Sequence, residues 1–197
     1  RAADRGATRV VFLSARGVDA NDEIPLRQVE LSLFATPGLD ATVIRPSWFA
    51  QNFTEGIFAA AIADGVLAAP AGDGAEPFID ADDIAEVAAT LLLDRSGRFT
   101  GQALDLSGSQ ADTFGRAAEL LAPVAGREVR YVDLDPAEFV AGATAAGVSA
   151  DYAGLLAGLF EVIRNGWDAH VSDGVEQVLG RPARSFEQWV GSVVARR

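Results

Sequence analysis

The sequence has no cysteine, no methionine and no lysine, and its one histidine is His170. Without a thiol there is no disulfide, no thiolate nucleophile and no cysteine metal site. Without lysine there is no Schiff-base chemistry, and no metal site is expected. All sixteen basic residues are arginines, and abundant alanine and glycine beside them make a GC-rich coding bias the plain reason for the missing lysine. Long apolar runs are missing too. Residues 87–93 form one of the longest, against roughly 20 for a membrane span, so no membrane segment is expected. Nor does the start carry a secretory leader pattern, which makes the cytoplasm the expected location. Because the chain opens at Arg1 and holds no Met, an upstream amino-terminal segment is expected to be missing from it. A net charge of -12 disfavours direct contact with nucleic acid, since a phosphate backbone rewards clustered basic residues.

What is present suits a folded α/β domain: 197 residues, 49% hydrophobic and 22% charged, can bury a sizeable core. The apolar run 9–14 ends in Ser14 and reads as a buried parallel strand. A helix is expected over 24–34, with Leu26, Val29 and Leu33 on one face, stopped by Thr36-Pro37-Gly38. A second strand, 41–45, is closed by Pro46, so strand, helix and strand predict a right-handed parallel crossover. Residues 52–63 read as a helix, 65–74 as a loop and 81–93 as a helix. Asp80 is its expected N-cap, with Asp83 completing a capping box. A third strand over 102–107 and a helix over 113–125 follow. Strand 128–132 alternates polar and apolar residues, and helices are expected over 136–146, 150–165, 171–179 and 186–195. His170, at the edge of one of them, reads as a surface or capping residue.

The string Gly38-Leu-Asp-Ala-Thr-Val-Ile-Arg-Pro-Ser-Trp-Phe-Ala-Gln-Asn52 closely resembles a strand and loop of NmrA-like proteins. These are atypical short-chain dehydrogenases that include NADP-sensing regulators and type 2 quinone oxidoreductases. The strand ending in Ser14, Phe78-Ile-Asp-Ala-Asp-Asp-Ile-Ala85 and Gly180-Arg-Pro-Ala-Arg-Ser-Phe186 agree in order and spacing, so the likeness spans nearly the whole chain. It implies an incomplete Rossmann-like, doubly wound parallel sheet, the present strands being its fifth to seventh. Residues 1–125 would be the carboxyl-terminal half of the NAD(P)-binding domain with inserted lobe segments. Residues 126–197 would be a mostly helical substrate lobe.

The resemblance also implies NADP or NAD as cofactor. The glycine-rich turn that cradles the pyrophosphate has no counterpart here, and Gly72-Asp73-Gly74 follows no expected strand, so this chain alone is expected to bind the cofactor weakly. Ligands of open parallel sheets collect beyond the carboxyl ends of the strands. Ser14 and the turn holding Pro46, Ser47, Trp48, Phe49 and Asn52 are therefore the expected cofactor residues. Trp48 and Phe49 would pack on the nicotinamide, Pro46 would set the direction of the loop, and Ser47 and Asn52 would donate hydrogen bonds. As core residues, Trp48 and Phe49 would instead fill an ordinary strand-to-helix junction.

No catalytic residue stands out. Tyrosine–lysine acid catalysis is excluded by the missing lysine, and Tyr131 and Tyr152 have no basic residue four positions on. Leu26 occupies the position where the family often has Lys or His, four residues before Glu30. The neighbouring Arg27 stays protonated and delivers no proton. Two readings survive: reduction of a quinone-like small molecule with a proton from water, or cofactor binding without turnover, as in a redox-sensing regulator. Ser107-Gly108-Ser109 is no nucleophile elbow. A sheet edge left open by missing strands would invite a second copy or another chain.

Overall fold

A computed structural model describes residues 6–196. Strand β1 (Arg9–Leu13) is followed by helix α1 (Pro25–Phe34), which begins on a proline whose fixed φ suits the first helical turn. Strand β2 (Asp40–Pro46) lies parallel to β1, with Val11 opposite Thr42 and Leu13 opposite Ile44. Strand β5 (Ala103–Leu106) pairs with the other side of β2, again parallel, with Arg45 opposite Asp105. The order β1-β2-β5 leaves β1 at an edge and β2 buried along almost its whole length. The three expected strands thus form one parallel sheet.

Helix α1 does not bury the predicted stripe. Leu26 and Val29 are exposed, and Glu30 faces the sheet with no solvent exposure. Arg45 of β2 explains the inversion, because its guanidinium binds both Glu30 carboxylate oxygens.

Between β2 and the next helix the expected continuous helix is broken into a 3-10 turn, Ala50–Phe53, a run of turns, and the short α2 (Ala59–Ala63). Gly56 accounts for the break: a Cβ there would stand 2.8 Å from the Asn52 backbone. The expected loop over 65–74 contains a strand, β3 (Val66–Ala69), which pairs in parallel with β7 (Arg130–Asp133). Two residues of β4 (Ala75–Glu76) pair antiparallel with β6 (Asp112–Thr113).

Helix α3 (Ala81–Leu93) has Asp80 as its N-cap, accepting from the Asp82 N–H. Asp83 does not close a capping box. Its buried carboxylate accepts instead from the Arg184 backbone N–H at 2.7 Å and from both Arg181 and Arg184 guanidinium groups. Helix α4 (Phe114–Ala125) is capped by Thr113 and ended by Gly126 in the left-handed region. Helices α5 (Pro136–Ala145), α6 (Ala150–Arg164), α7 (Gly174–Leu179) and α8 (Phe186–Ala195) complete the chain. Helix α7 starts three residues later than expected, and His170 lies exposed on the irregular segment before it.

Two apolar cores result, and both draw on residues far apart in sequence. One gathers Phe53, Phe58, Phe78, Phe114, Phe160, Phe186 and Trp189, with edge-to-face ring pairs such as Phe53–Phe78 at 4.9 Å. Such pairs contribute about 0.5–1.5 kcal/mol each beyond the area they bury. The other packs Ile44, Ile84, Val87, Leu91, Leu104 and Leu106 between the parallel sheet and α3. Among the described residues no helix is long and apolar enough to cross a membrane.

Candidate functional site

The carboxyl ends of β1 and β2 are stitched together by the backbone. The Ser14 N–H donates to the Ile44 carbonyl at 2.9 Å, and the Arg16 N–H to the Pro46 carbonyl at 3.1 Å. Beyond Pro46 the chain crosses to the segment before α3. The Ala50 N–H donates to Ile79 O and the Ile79 N–H to Trp48 O. Ser14 and the 46–52 turn therefore meet at one end of the sheet, where parallel strands aim their backbone at ligands.

The expected site residues have distinct environments there. Pro46 is the last, buried residue of β2. The Ser47 hydroxyl is buried and donates to the Pro77 carbonyl at 2.6 Å, so it anchors the turn. Trp48 is partly buried, its ring 4.9 Å from that of Phe160 and tilted by 41°. Phe49 packs against the sheet-side core, and Asn52 is half-buried in the 3-10 turn. Ser14 is buried, and its Oγ lacks a hydrogen bond of ordinary geometry, though it lies close enough to Glu30 to favour the ionised carboxylate.

Three residues that the sequence reading did not select complete this end. Glu76 of β4 has no solvent exposure, and its Oε1 accepts from the Trp48 N–H at 3.1 Å. Burial, and then the negative charge of Asp168, push the Glu76 carboxyl well above the ordinary carboxylate range. Arg16 Nη1 donates to the carbonyls of Asp168 and His170, at 3.3 and 3.0 Å, and reaches Asp168 Oδ1 at 3.4 Å. These bonds draw residues 168–170 over the end of β1. Ser14 Oγ, Arg16 Nη2 and Glu76 Oε2 are the buried side-chain polar atoms without a hydrogen-bond partner among the described residues. All three belong to this end of the β1–β2 pair. The sequence carried one faint signal, a lone Glu inside the apolar run from Ala75 to Ile79.

Beside the site, a cleft of about 240 Å³ opens against β5 and the start of α7, lined by Arg45, Asp105, His170, Ser172 and Gln177 among others. The buried Ser107 hydroxyl accepts from the Ser172 N–H at 2.9 Å, which fastens the same segment to β5. Neither tyrosine enters the site as an acid. The Tyr131 hydroxyl donates to the Ala69 carbonyl, and burial, with Asp133 nearby, pushes the phenol up to about 12. Tyr152 stands exposed on α6.

No family model matches the chain. Over 191 residues it is 35% identical to an uncharacterized oxidoreductase, YesF, of Bacillus subtilis, covering 96% of this chain and 65% of that protein. It is 32% identical over 199 residues to the (4-alkanoyl-5-oxo-2,5-dihydrofuran-3-yl)methyl phosphate reductase of Streptomyces griseus, covering 95% of this chain and 67% of that one. An Escherichia coli NADPH-dependent quinone oxidoreductase, solved with NADPH, superimposes with a TM-score of 0.78 at 23% identity, over 98% of this chain and 68% of that chain. NmrA, a negative transcriptional regulator solved with NAD, superimposes with a TM-score of 0.62 at 14% identity, over 96% of this chain and 65% of that one. The chain spans 60–65% of the length of the first curated relatives it matches. The shared arrangement of parallel strands and helices is the Rossmann-like α/β fold, and the chain belongs to the NmrA-like, atypical short-chain dehydrogenase family of NAD(P)-binding proteins.

Proposed function

We propose that this chain forms the nicotinamide end of an NAD(P)H-dependent oxidoreductase acting on quinones or similar small carbonyl acceptors. The observation that carries the reading is the meeting of Ser14 and Arg16 with the 46–52 turn, where buried polar atoms stand without partners. Ser14 Oγ and Arg16 Nη2 retain hydrogen-bonding capacity that a carboxamide would use, and in that respect the residues fit the group. Ser14, Pro46, Trp48, Phe49 and Asn52 would hold the ring. Ser47, whose proton is committed to Pro77, would fix the shape of the turn. Bound there, a reduced nicotinamide supplies a hydride.

On this reading β1, β2 and β5 are the fifth to seventh strands of the doubly wound sheet. Residues 1–125 supply the cofactor half, and the mostly helical residues 126–197 wall the substrate side. The protein acts in the cytoplasm on a small molecule. Neither NADP nor NAD is favoured, and this chain binds either one weakly because its 197 residues hold no glycine-rich pyrophosphate turn.

The test mixes the protein with excess NADPH and a panel of quinones and follows absorbance at the nicotinamide band. Steady loss of absorbance that scales with protein supports the oxidoreductase. Saturable NADP binding without turnover favours the second reading, a redox-sensing regulator. That reading draws on the missing tyrosine–lysine pair and on the fold shared with NmrA.

A further inference from the structure

Reduction of a carbonyl consumes a proton as well as a hydride, and the residues that ordinarily give that proton are absent. We propose that Glu76 and Asp168 share one proton and form the carboxyl pair that delivers it at the site, a role that rests on the oxidoreductase reading above.

Both carboxyls belong to the end of the β1–β2 pair: Glu76 of β4 lies under the Trp48 N–H, and Asp168, from the segment preceding α7, is held by Arg16, whose own N–H donates to Pro46. The charge of Asp168 acts on Glu76. Glu76 is sealed from solvent, and one oxygen is saturated by the Trp48 N–H. The other oxygen meets no donor among the described residues. Two ionised carboxylates repel each other strongly in such a place, so the resting pair retains one proton. Asp168 keeps 17% of its side-chain surface exposed and sits against Arg16. It is the outlet, while Glu76 is the reservoir.

The surrounding charges fit that division. Arg16, from the end of β1, and Asp168 act on Glu76, and Asp105 of β5 feels both Arg16 and Asp168. Asp112 stands opposite Glu76 in the β4–β6 ladder, yet accepts from the Gln110 side chain. Arg164 of α6, the helix packed on β4, is engaged by Asp133.

The acceptor carbonyl gains the hydride supplied by the reduced nicotinamide, leaving the oxidised cofactor. Its oxygen takes the shared proton, so one carboxyl O–H bond breaks and one acceptor O–H bond forms. The pair is left doubly ionised beside Arg16, and water reprotonates it through Asp168.

The experiment has two arms on the full chain and its Glu76→Gln and Asp168→Asn variants. Infrared spectra of the cofactor-free protein at neutral pH read the protonated-carboxyl C=O stretch. Quinone-dependent NADPH oxidation is then followed against pH. Expected are a protonated-carboxyl band that Glu76→Gln abolishes, and a loss of turnover of about 100-fold or more in both variants, typical for removal of a general acid. Circular dichroism melting must show both variants folded; if Glu76→Gln unfolds, Asp168→Asn at the exposed outlet carries the test. Wild-type turnover should fall as pH rises and the pair loses its proton. Unchanged turnover in folded variants overturns the donor role. NADPH oxidation without the band overturns the carboxyl pair but leaves the oxidoreductase reading standing. A band with no oxidation in the wild type overturns that reading together with the donor role.

Discussion

The Arg45 guanidinium holds the Glu30 carboxylate at both oxygens, Nη2 to Oε2 at 2.6 Å and Nε to Oε1 at 3.0 Å, with Glu30 closed to solvent. Burial opposes the ionisation of Glu30, but hydrogen bonds from Arg45 and Arg27, with the Ser14 hydroxyl close by, outweigh it and hold the carboxyl at about 2. A lowered carboxyl stabilises the fold above its ordinary value of 4.5 and ceases to do so as pH falls towards about 2. The contribution is on the order of 3 kcal/mol. Acid unfolding followed by circular dichroism should therefore fall mainly between those two values. Glu30→Gln, which leaves Arg45 buried against a neutral partner, should cost about 3–5 kcal/mol at neutral pH. An unchanged acid transition in that variant would contradict the assignment.

Gly174, the first residue of α7, docks directly on β5: a Cβ there would collide with the Asp105 carbonyl. Gly174→Ala should cost about 2–3 kcal/mol, because backbone cannot give way as a flexible side chain does. Gly154, inside α6, has open space around it. Gly154→Ala should stabilise by about 0.5–1 kcal/mol through helix propensity. Urea denaturation of the two variants should show these opposite signs.

Asp83 ties α3 to the 180–186 segment through three donors, two of them at 2.5 and 2.7 Å from Arg184. Because its carboxylate is fully buried, Asp83→Asn should cost about 2–3 kcal/mol. Arg181 is about one-third exposed, so Arg181→Ala should cost no more than about 1 kcal/mol. A loss in Arg181→Ala equal to that in Asp83→Asn, read by chemical denaturation, would contradict this division.

Tyr131 should titrate near 12 in ultraviolet absorbance, because burial and Asp133 disfavour its phenolate. Tyr131→Phe removes the bond to Ala69 at a cost of about 1 kcal/mol. It should leave quinone-dependent turnover unchanged; a large drop would restore a tyrosine to the chemistry.

The parts of the fold that were legible in the sequence were those set by local pattern. The run ending at Pro46 is a strand because both faces are covered, whereas the run ending at Ser14, expected to be buried, forms an edge strand with Leu13 exposed; Asp80 caps α3 because its side chain reaches the Asp82 N–H. Strand β3 was not legible, since Val66–Ala69 owes its state to Arg130–Asp133, far along the chain. The α1 face was misread for a related reason: an ion pair with Arg45 turns Glu30, and not Leu26 or Val29, towards the sheet. At the site, the turn from Pro46 to Asn52 was visible as a motif. Glu76 and Asp168 were not, because only folding brings β4 beside the segment before α7.

The central claim is that a nicotinamide ring sits where β1 and β2 end, beside Trp48. Transferred nuclear Overhauser spectra, suited to weak ligands, would test it with excess NADPH added to the chain. The predicted result is cross-peaks between nicotinamide ring protons and the Trp48 indole that vanish in Trp48→Ala. Absent cross-peaks at saturating NADPH, or cross-peaks that survive that substitution, would contradict it.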